Sequence, residues 1–503
     1  MTDSRDLREA AGGPLASRLS PRYLEEHCLI PLGIDPDGAL ATAIGAPLDP
    51  TVSDELSRIF KRPLRLVNVP AGELLAAIMS SNRGAGSAGP DTNGSSKVAA
   101  EDLPLDDLEA LANQAPVVKL VNVLVLDALR LGASDVHIES LDDGLRVRYR
   151  IDGVLQDVSR LADQYRAAVL SRVKIMAGLN IAERRLAQDG RARLRLADRD
   201  VDLRVSTLPA LHGESVVLRI LDHAGHGRDL SELGMPREVI GRFERMIART
   251  NGMILVTGPT GSGKTTTLYA ALARVNSAGV KIVTVEDPVE YQIDGVIQIP
   301  VNAKAGFTFS GALRSILRHD PDVIMIGEMR DTATADIATQ AALTGHLVFS
   351  TLHTNDAASA VTRLVDMGIE AYLVAATVQG IVAQRLVRRL CDNCAEEYEP
   401  EAADVAGAPK PKAGEPAPRF RRPKGCDECA QTGYRGRTGI YELLPLGEKY
   451  RALIVKGASA DDLRALGRSD GFESLAEAAW RAVREGMTSV AELRRVTNEE
   501  SMG

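Results

Sequence analysis

Aromatic residues are scarce in this chain, 4% of 503 residues with one tryptophan, and positive charge is not in excess. Lys and Arg total 60 against 68 Asp and Glu, for a net charge of -8. A protein that tracks a nucleic-acid backbone needs a basic field, and one that holds single strands needs aromatic platforms. Neither shows in the composition, so nucleic acid is not an expected partner. No run of roughly 18 uncharged apolar residues occurs, so a membrane-spanning helix is not expected. The stretch Met1 to Glu9 is charged and polar, unlike a basic-then-apolar export signal, and the chain reads as cytoplasmic. Cysteine is sparse as well. Four of the five fall in two CxxC pairs, Cys391 with Cys394 and Cys426 with Cys429, and Cys28 stands alone. That usage points to metal rather than to a disulfide framework. Apolar residues make up 45% and charged residues 25%, a balance that buries sizeable cores, and the length suggests roughly three domains.

Residues 1–82 alternate apolar segments with turn signals and read as a small α/β domain. Residues 83–104 continue a stretch of small, polar and turn-forming residues that reads as a flexible linker. A second α/β block spans 105–228, with a helix expected over Val117 to Leu131 and strands over Leu145 to Ile151, Val201 to Val205 and Val216 to Leu221. The third block, 229–503, carries short apolar runs at Met253 to Thr257, Lys281 to Val285, Val323 to Ile326 and Leu347 to Ser350. Such runs suit strands buried on both faces of a parallel sheet. A cysteine-bearing insert lies over 391–440, with a mobile loop expected over Ala406 to Pro423.

Between the strand at Met253 and a helical stretch from Thr266 lies Gly258-Pro259-Thr260-Gly261-Ser262-Gly263-Lys264-Thr265, which fits GxxxxGK[ST]. The glycines let backbone N–H groups wrap phosphates, and the following helix N-terminus adds partial positive charge. Lys264, on a solvent-facing ligand loop, is expected to reach the β and γ phosphates of ATP. Thr265 is expected to offer its hydroxyl to Mg²⁺, and Thr266 closes the cradle. A second carboxylate-bearing strand end, Asp320 to Glu328, places Glu328 toward the ligand crevice of a parallel sheet, where it orients or deprotonates water. Gly327 occupies the place where many P-loop proteins carry a Mg²⁺-supporting Asp. Val285 to Glu290 reads as an acidic loop, with Glu286 a candidate for Mg²⁺ or water positioning. The four paired cysteines offer soft sulfurs suited to closed, tetrahedral, structural Zn²⁺.

GPTGSGKTTTLYAAL, TVEDPVEYQI, LRSILRHDPDVIMIGEMRD and TGHLVFSTLHTNDA, in this order, resemble the Walker A, Asp box, Walker B and His box of secretion-system traffic ATPases. With ASDVHIE, RYRIDGV, AQDGR and VSTLPALHGESVVLRILD, the resemblance covers most of residues 115 to 495. It is nearest to type II secretion assembly ATPases, with type IV pilus extension ATPases next. The resemblance implies an α/β fold: a RecA-like P-loop core with N-terminal α/β domains and a small four-cysteine metal subdomain. It implies that Arg204, Arg219, Arg314 and Arg318 surround the nucleotide phosphates and that His346 and His353 sense the γ-phosphate. It further implies a homo-hexamer, peripheral association with the inner membrane, and docking of the N-terminal domain on cytoplasmic parts of inner-membrane secretion-platform proteins. A nucleic-acid translocase and an inactive nucleotide-binding scaffold are the competing readings. The first lacks a basic, aromatic channel, and the second is at odds with the presence of both Lys264 and Glu328.

Overall fold

The computed structural model describes residues 4–20, 23–24, 27–45, 48–81, 105–196, 199–221, 229–302, 305–409 and 418–498. The expected linker 83–104 lies outside these residues. The chain divides into two compact units, Met1–Asp222 and His223–Gly503.

The first unit holds two sheets. β1 (Leu29–Ile34) pairs antiparallel with β2 (Leu40–Ile44), which pairs parallel with β3 (Leu64–Asn68). Helices Ser4–Ala11, Pro50–Phe60 and Ala71–Ser81 accompany this sheet. Cys28 is half-buried there, and burial pushes its thiol up to about 11. The second sheet is antiparallel and six-stranded. It comprises β4 (Ala133–Leu141), β5 (Gly144–Ile151), β6 (Val154–Ala162), β7 (Gln188–Leu196), β8 (Arg199–Ala210) and β9 (Gly213–Leu221), in the order β6-β5-β4-β9-β8-β7. The strands alternate cleanly. Leu203, Val205, Leu218 and Ile220 enter a core with helix Ala115–Arg130, while Arg204 and Arg219 face outward.

The second unit is built on a seven-stranded sheet of β10 (Gly252–Thr257), β11 (Ile282–Glu286), β12 (Val296–Pro300), β13 (Val323–Ile326), β14 (Leu347–Leu352), β15 (Val378–Leu390) and β18 (Tyr434–Pro445). Their order is β12-β11-β13-β14-β10-β15-β18. All neighbours run parallel except β15 and β18. β10 is buried throughout because it feeds two cores: Met253 and Leu255 join one, Ile254 and Val256 the other. Each such side chain contributes roughly 1.5–3 kcal/mol on burial. The continuous apolar run at Met253 therefore marks a strand covered on both faces. The last pair, β15 with β18, is longer than any other in this sheet and carries the cysteine insert between its strands. Part of the expected mobile loop is regular: β17 (Arg421–Arg422) pairs with β16 (Glu396–Glu397). Residues 410–417 of that loop lie outside the described residues.

Candidate active site

In a parallel sheet the strand C-terminal ends carry the ligand-facing loops. β10 ends at Thr257, the loop Gly258 to Gly263 follows, and helix Lys264–Val275 begins. Gly258 has φ +148°, and a Cβ there would lie 2.4 Å from the Gln384 carbonyl. Gly263, at φ +85°, would place one 2.8 Å from Gln384 Nε2. Neither position admits a side chain, and both glycines are pressed against β15. Gln384, 2% exposed, braces the loop from there: Nε2 donates to the Ser262 carbonyl (2.7 Å) and Oε1 accepts from Thr267 (2.7 Å).

Lys264 is nearly buried, 9% exposed, rather than solvent-facing as its loop suggested. Its ammonium donates to the Gly258 and Pro259 carbonyls at 2.8 and 2.9 Å, so it lies folded over its own loop. Burial pulls its pKa down to about 8. Nearby Glu328 opposes that shift and Arg385 adds to it. Pro259, Thr260 and Gly261 are exposed, while Thr265 and Thr266 are half-buried at the start of the helix.

Glu328 follows β13 by two residues, and its side chain is 15% exposed. Oε1 accepts from Arg330 Nη2 at 2.7 Å, and His353 Nε2 lies 3.5 Å from Oε2. Burial and then Lys264 depress the His353 pKa, so the imidazole is neutral at neutral pH and the contact is not a full ion pair. The segment after His353 is anchored residue by residue. Thr354 meets Thr257 at the foot of the phosphate loop (2.8 Å), Asn355 accepts from Arg385 (3.2 Å), and Asp356 pairs with Arg464 (2.7 Å). Lys264, Glu328, His353 and Arg385 thus form one electrostatic neighbourhood at the C-terminal edge of the sheet.

Two expected site residues lie elsewhere. His346 precedes β14 at the opposite end from His353, its Nδ1 on the Ala341 carbonyl at 3.0 Å. Six strand residues separate them, about 20 Å at 3.3 Å each, so His346 is remote from the phosphate loop. Glu286 is the last residue of β11, 2% exposed, and not on an open acidic loop. Its carboxylate is enclosed by Tyr269, by Thr284 (2.5 Å) and by Gln298 (3.2 Å), which makes it an interior brace between β11 and the helix after the phosphate loop. Arg314 and Arg318 are exposed on and just after helix Phe309–Ile316, with Arg318 donating to the Arg314 carbonyl. Arg204 and Arg219 belong to the first unit, where Arg219 pairs with Asp135 at 2.9 Å. Gln384, Arg385 and Arg330 escaped the sequence reading. The polar pair Gln384-Arg385 interrupting an apolar strand was the available signal.

The four cysteine sulfurs converge. Cys391 to Cys426 and Cys394 to Cys429 are 3.8 Å apart, and Cys426 to Cys429 3.7 Å. A tetrahedron with Zn–S legs of about 2.3 Å has edges of about 3.8 Å, so the spacing fits Zn²⁺ and is far too long for disulfides. Backbone N–H groups of Cys426 and Gly433 donate to Cys429 Sγ, each at 3.2 Å, as they would to a thiolate ligand.

The fold and loop define a P-loop nucleotide-binding protein with a subdomain whose four clustered cysteines could hold a metal ion. Residues 110–495 match the family described as type II/IV secretion system protein, and residues 5–88 match the MshEN domain. The chain belongs to the type II/IV secretion system protein family. It is 50% identical over 400 residues to type II secretion system protein HxcR of Pseudomonas aeruginosa, covering 79% of this chain and 81% of that one. It is 43% identical over 504 residues to type II secretion system protein E of Xanthomonas campestris pv. campestris, covering 99% and 88%. The pilus retraction motor PilT, solved with bound ADP, is similar in structure: TM-score 0.51 and 25% identity, over 76% of this chain and 98% of that one.

Proposed function

We propose that this protein hydrolyses ATP to ADP and phosphate and that the turnover drives pseudopilus assembly and protein export by a type II secretion system. The observation that carries the reading is that Lys264, at the start of the helix after β10, and Glu328, two residues beyond β13, lie close enough at the sheet's C-terminal edge for the carboxylate to raise the ammonium's pKa. The Gly258 and Pro259 carbonyls that now hold the ammonium are stand-ins for phosphate oxygens, and Lys264 exchanges them for the β and γ phosphates. Glu328 takes the role of orienting the attacking water and accepting its proton, with Arg330 and His353 fixing its two oxygens. Thr265, half-buried at the start of the helix, would offer its hydroxyl to Mg²⁺, which would supply charge neutralisation at the nucleotide's phosphates. Arg204, Arg219, Arg314 and Arg318 supply guanidinium groups to the phosphates, a role that suits charge spread over equatorial oxygens.

Zn²⁺ held by Cys391, Cys394, Cys426 and Cys429 serves structure. The working form is a homo-hexamer, with residues 1–82 docking on the cytoplasmic part of an inner-membrane secretion-platform protein. In this reading the protein is cytoplasmic and peripheral to the membrane. Among the described residues no helix is long and apolar enough to cross a membrane. The decisive test uses two variants. Lys264→Ala is expected to lose ATP turnover, and Glu328→Gln to bind ATP while turning it over about 10²–10⁴-fold more slowly. Retained turnover in Lys264→Ala refutes the assignment, and failure of Glu328→Gln to bind ATP makes the carboxylate a binding or folding element.

A further inference from the structure

The outward face of the six-stranded sheet in the first unit is a ladder of charges set by strand register. Arg193 on β7 stands opposite Asp202 on β8 and pairs with it at 2.8 Å. On β5, Arg146 and Arg148 both pair with Glu139 of β4. These are the matched cross-strand pairs that stabilise a sheet. One row breaks the pattern. Arg191 on β7 stands opposite Arg204 on β8, and Arg204 stands opposite Arg219 on β9. All three side chains are exposed. The one carboxylate in the row is Asp135 on β4, 5% exposed, and it is engaged by Arg219 at 2.9 Å and Ser134 at 2.7 Å, with Arg150 at 3.9 Å on its far side. The side chains of Arg191 and Arg204 make no hydrogen bond or ion pair among the described residues. The neighbouring acids are Asp189, opposite Ser206, and Asp202, already held by Arg193.

Like charges directly opposite on adjacent strands destabilise a sheet, so this row costs the ligand-free fold stability. We propose that the row Arg191–Arg204–Arg219 is a binding site for a phosphate chain and that Arg191 is its third ligand. The inference rests on the reading of Arg204 and Arg219 as phosphate ligands and extends it by one residue. Three strands about 4.8 Å apart spread the guanidinium bases over about 10 Å, a span suited to a linear chain of phosphates. Each planar fork can grip two phosphate oxygens, which a point charge cannot do. The occupant is a polyphosphate chain, carried by a nucleoside triphosphate or free.

The test compares Arg191→Gln, Arg191→Lys and Arg204→Gln in the full-length chain. Four readouts are taken: the melting temperature without ligand, its rise with ATP, the KM and kcat for ATP, and binding of inorganic tripolyphosphate. Arg191→Gln is expected to hold or raise the ligand-free melting temperature by about 1–3 °C, because a like-charge contact is removed. It is expected to raise the ATP KM roughly tenfold and to shrink the ATP-induced thermal shift, as loss of one charge-assisted contact does. Arg191→Lys keeps the charge without the fork and recovers part of the loss. Weakened tripolyphosphate binding with an unchanged ATP KM supports the row and assigns it to free polyphosphate instead of nucleotide. A lower ligand-free melting temperature with ATP and tripolyphosphate binding unchanged overturns the inference and makes Arg191 structural. If Arg204→Gln raises the ATP KM and Arg191→Gln changes neither ligand, this inference alone fails. If Arg204→Gln is silent as well, the underlying reading of the arginines fails with it.

Discussion

Raising the pH from 7 to 9 is expected to weaken ATP binding through Lys264 alone. Burial brings that ammonium's pKa from the ordinary 10.5 to about 8, with Glu328 raising it, Arg385 lowering it and a neutral His353 beside it. At pH 7 about a tenth of the ligand-free protein has a neutral Lys264, and at pH 9 about nine-tenths. Phosphate keeps the side chain charged when nucleotide is bound, so apparent affinity falls about tenfold across this interval, or about 1.4 kcal/mol. The nucleotide's own phosphate ionises near pH 6, below this window. Titration calorimetry in buffers of different ionisation enthalpy reads both the affinity and the uptake of close to one proton per ATP at pH 9. Lys264→Arg cannot titrate here, so any binding it retains is flat with pH. The ligand-free protein shows the reciprocal effect. Its unfolded form holds the Lys264 proton up to about 10.5 and its folded form releases it at about 8, so stability rises with pH through that interval. A wild-type affinity that does not change between pH 7 and 9, or an equal fall in Lys264→Arg, refutes the reasoning.

Two further expectations concern the C-terminal part of the second unit. Glu492, fully buried on helix Val490–Asn498, accepts from Arg388 Nε and Nη2 (2.9 and 2.7 Å) and from Arg495 (2.9 and 2.8 Å). Glu492→Ala leaves two guanidiniums without their carboxylate and is expected to cost about 3–5 kcal/mol in chemical denaturation; a loss below about 1 kcal/mol contradicts the assigned role. Burial pushes the Glu492 carboxyl up, but hydrogen bonds from Arg495 and Arg388 outweigh it and hold the folded pKa below 4.5. This contribution is therefore whole above about pH 4.5 and fades as pH falls through the folded value. The cysteine cluster is expected to yield one Zn²⁺ per chain in a colorimetric assay, and a strong chelator to lower the melting temperature. A metal-free protein with unchanged melting contradicts the structural role of Zn²⁺.

The phosphate loop was legible because local chemistry fixes it. Gly258 and Gly263 are required by backbone conformation and close approach, and the run from Met253 could only be a strand covered on both faces. Val323 to Ile326 matched β13 residue for residue for the same reason. What escaped depends on which strand lies next to which. Gln384 and Arg385 matter because β15 runs beside β10, an adjacency more than a hundred residues apart in sequence. His346 and His353 read alike as residues flanking one strand, and only the sheet's direction separates the crevice end from the far end. Glu286 read as a loop acid because nothing local announces that Tyr269 and Gln298 close over it. The row of arginines on β7, β8 and β9 is a property of register, which pairs Arg191 with Arg204 and leaves Arg193 to Asp202.

The central claim is that one loop and one carboxylate grip and cleave a nucleotide's terminal phosphate. It is tested most directly by a crystal structure of the full chain with Mg²⁺ and a non-hydrolysable ATP analogue. The account predicts that Lys264 Nζ leaves the Gly258 and Pro259 carbonyls for the β and γ phosphate oxygens, with Glu328 within hydrogen-bonding distance of a water in line with the γ-phosphate. A structure with Lys264 still on those carbonyls, or with Glu328 turned away from any such water, would contradict it.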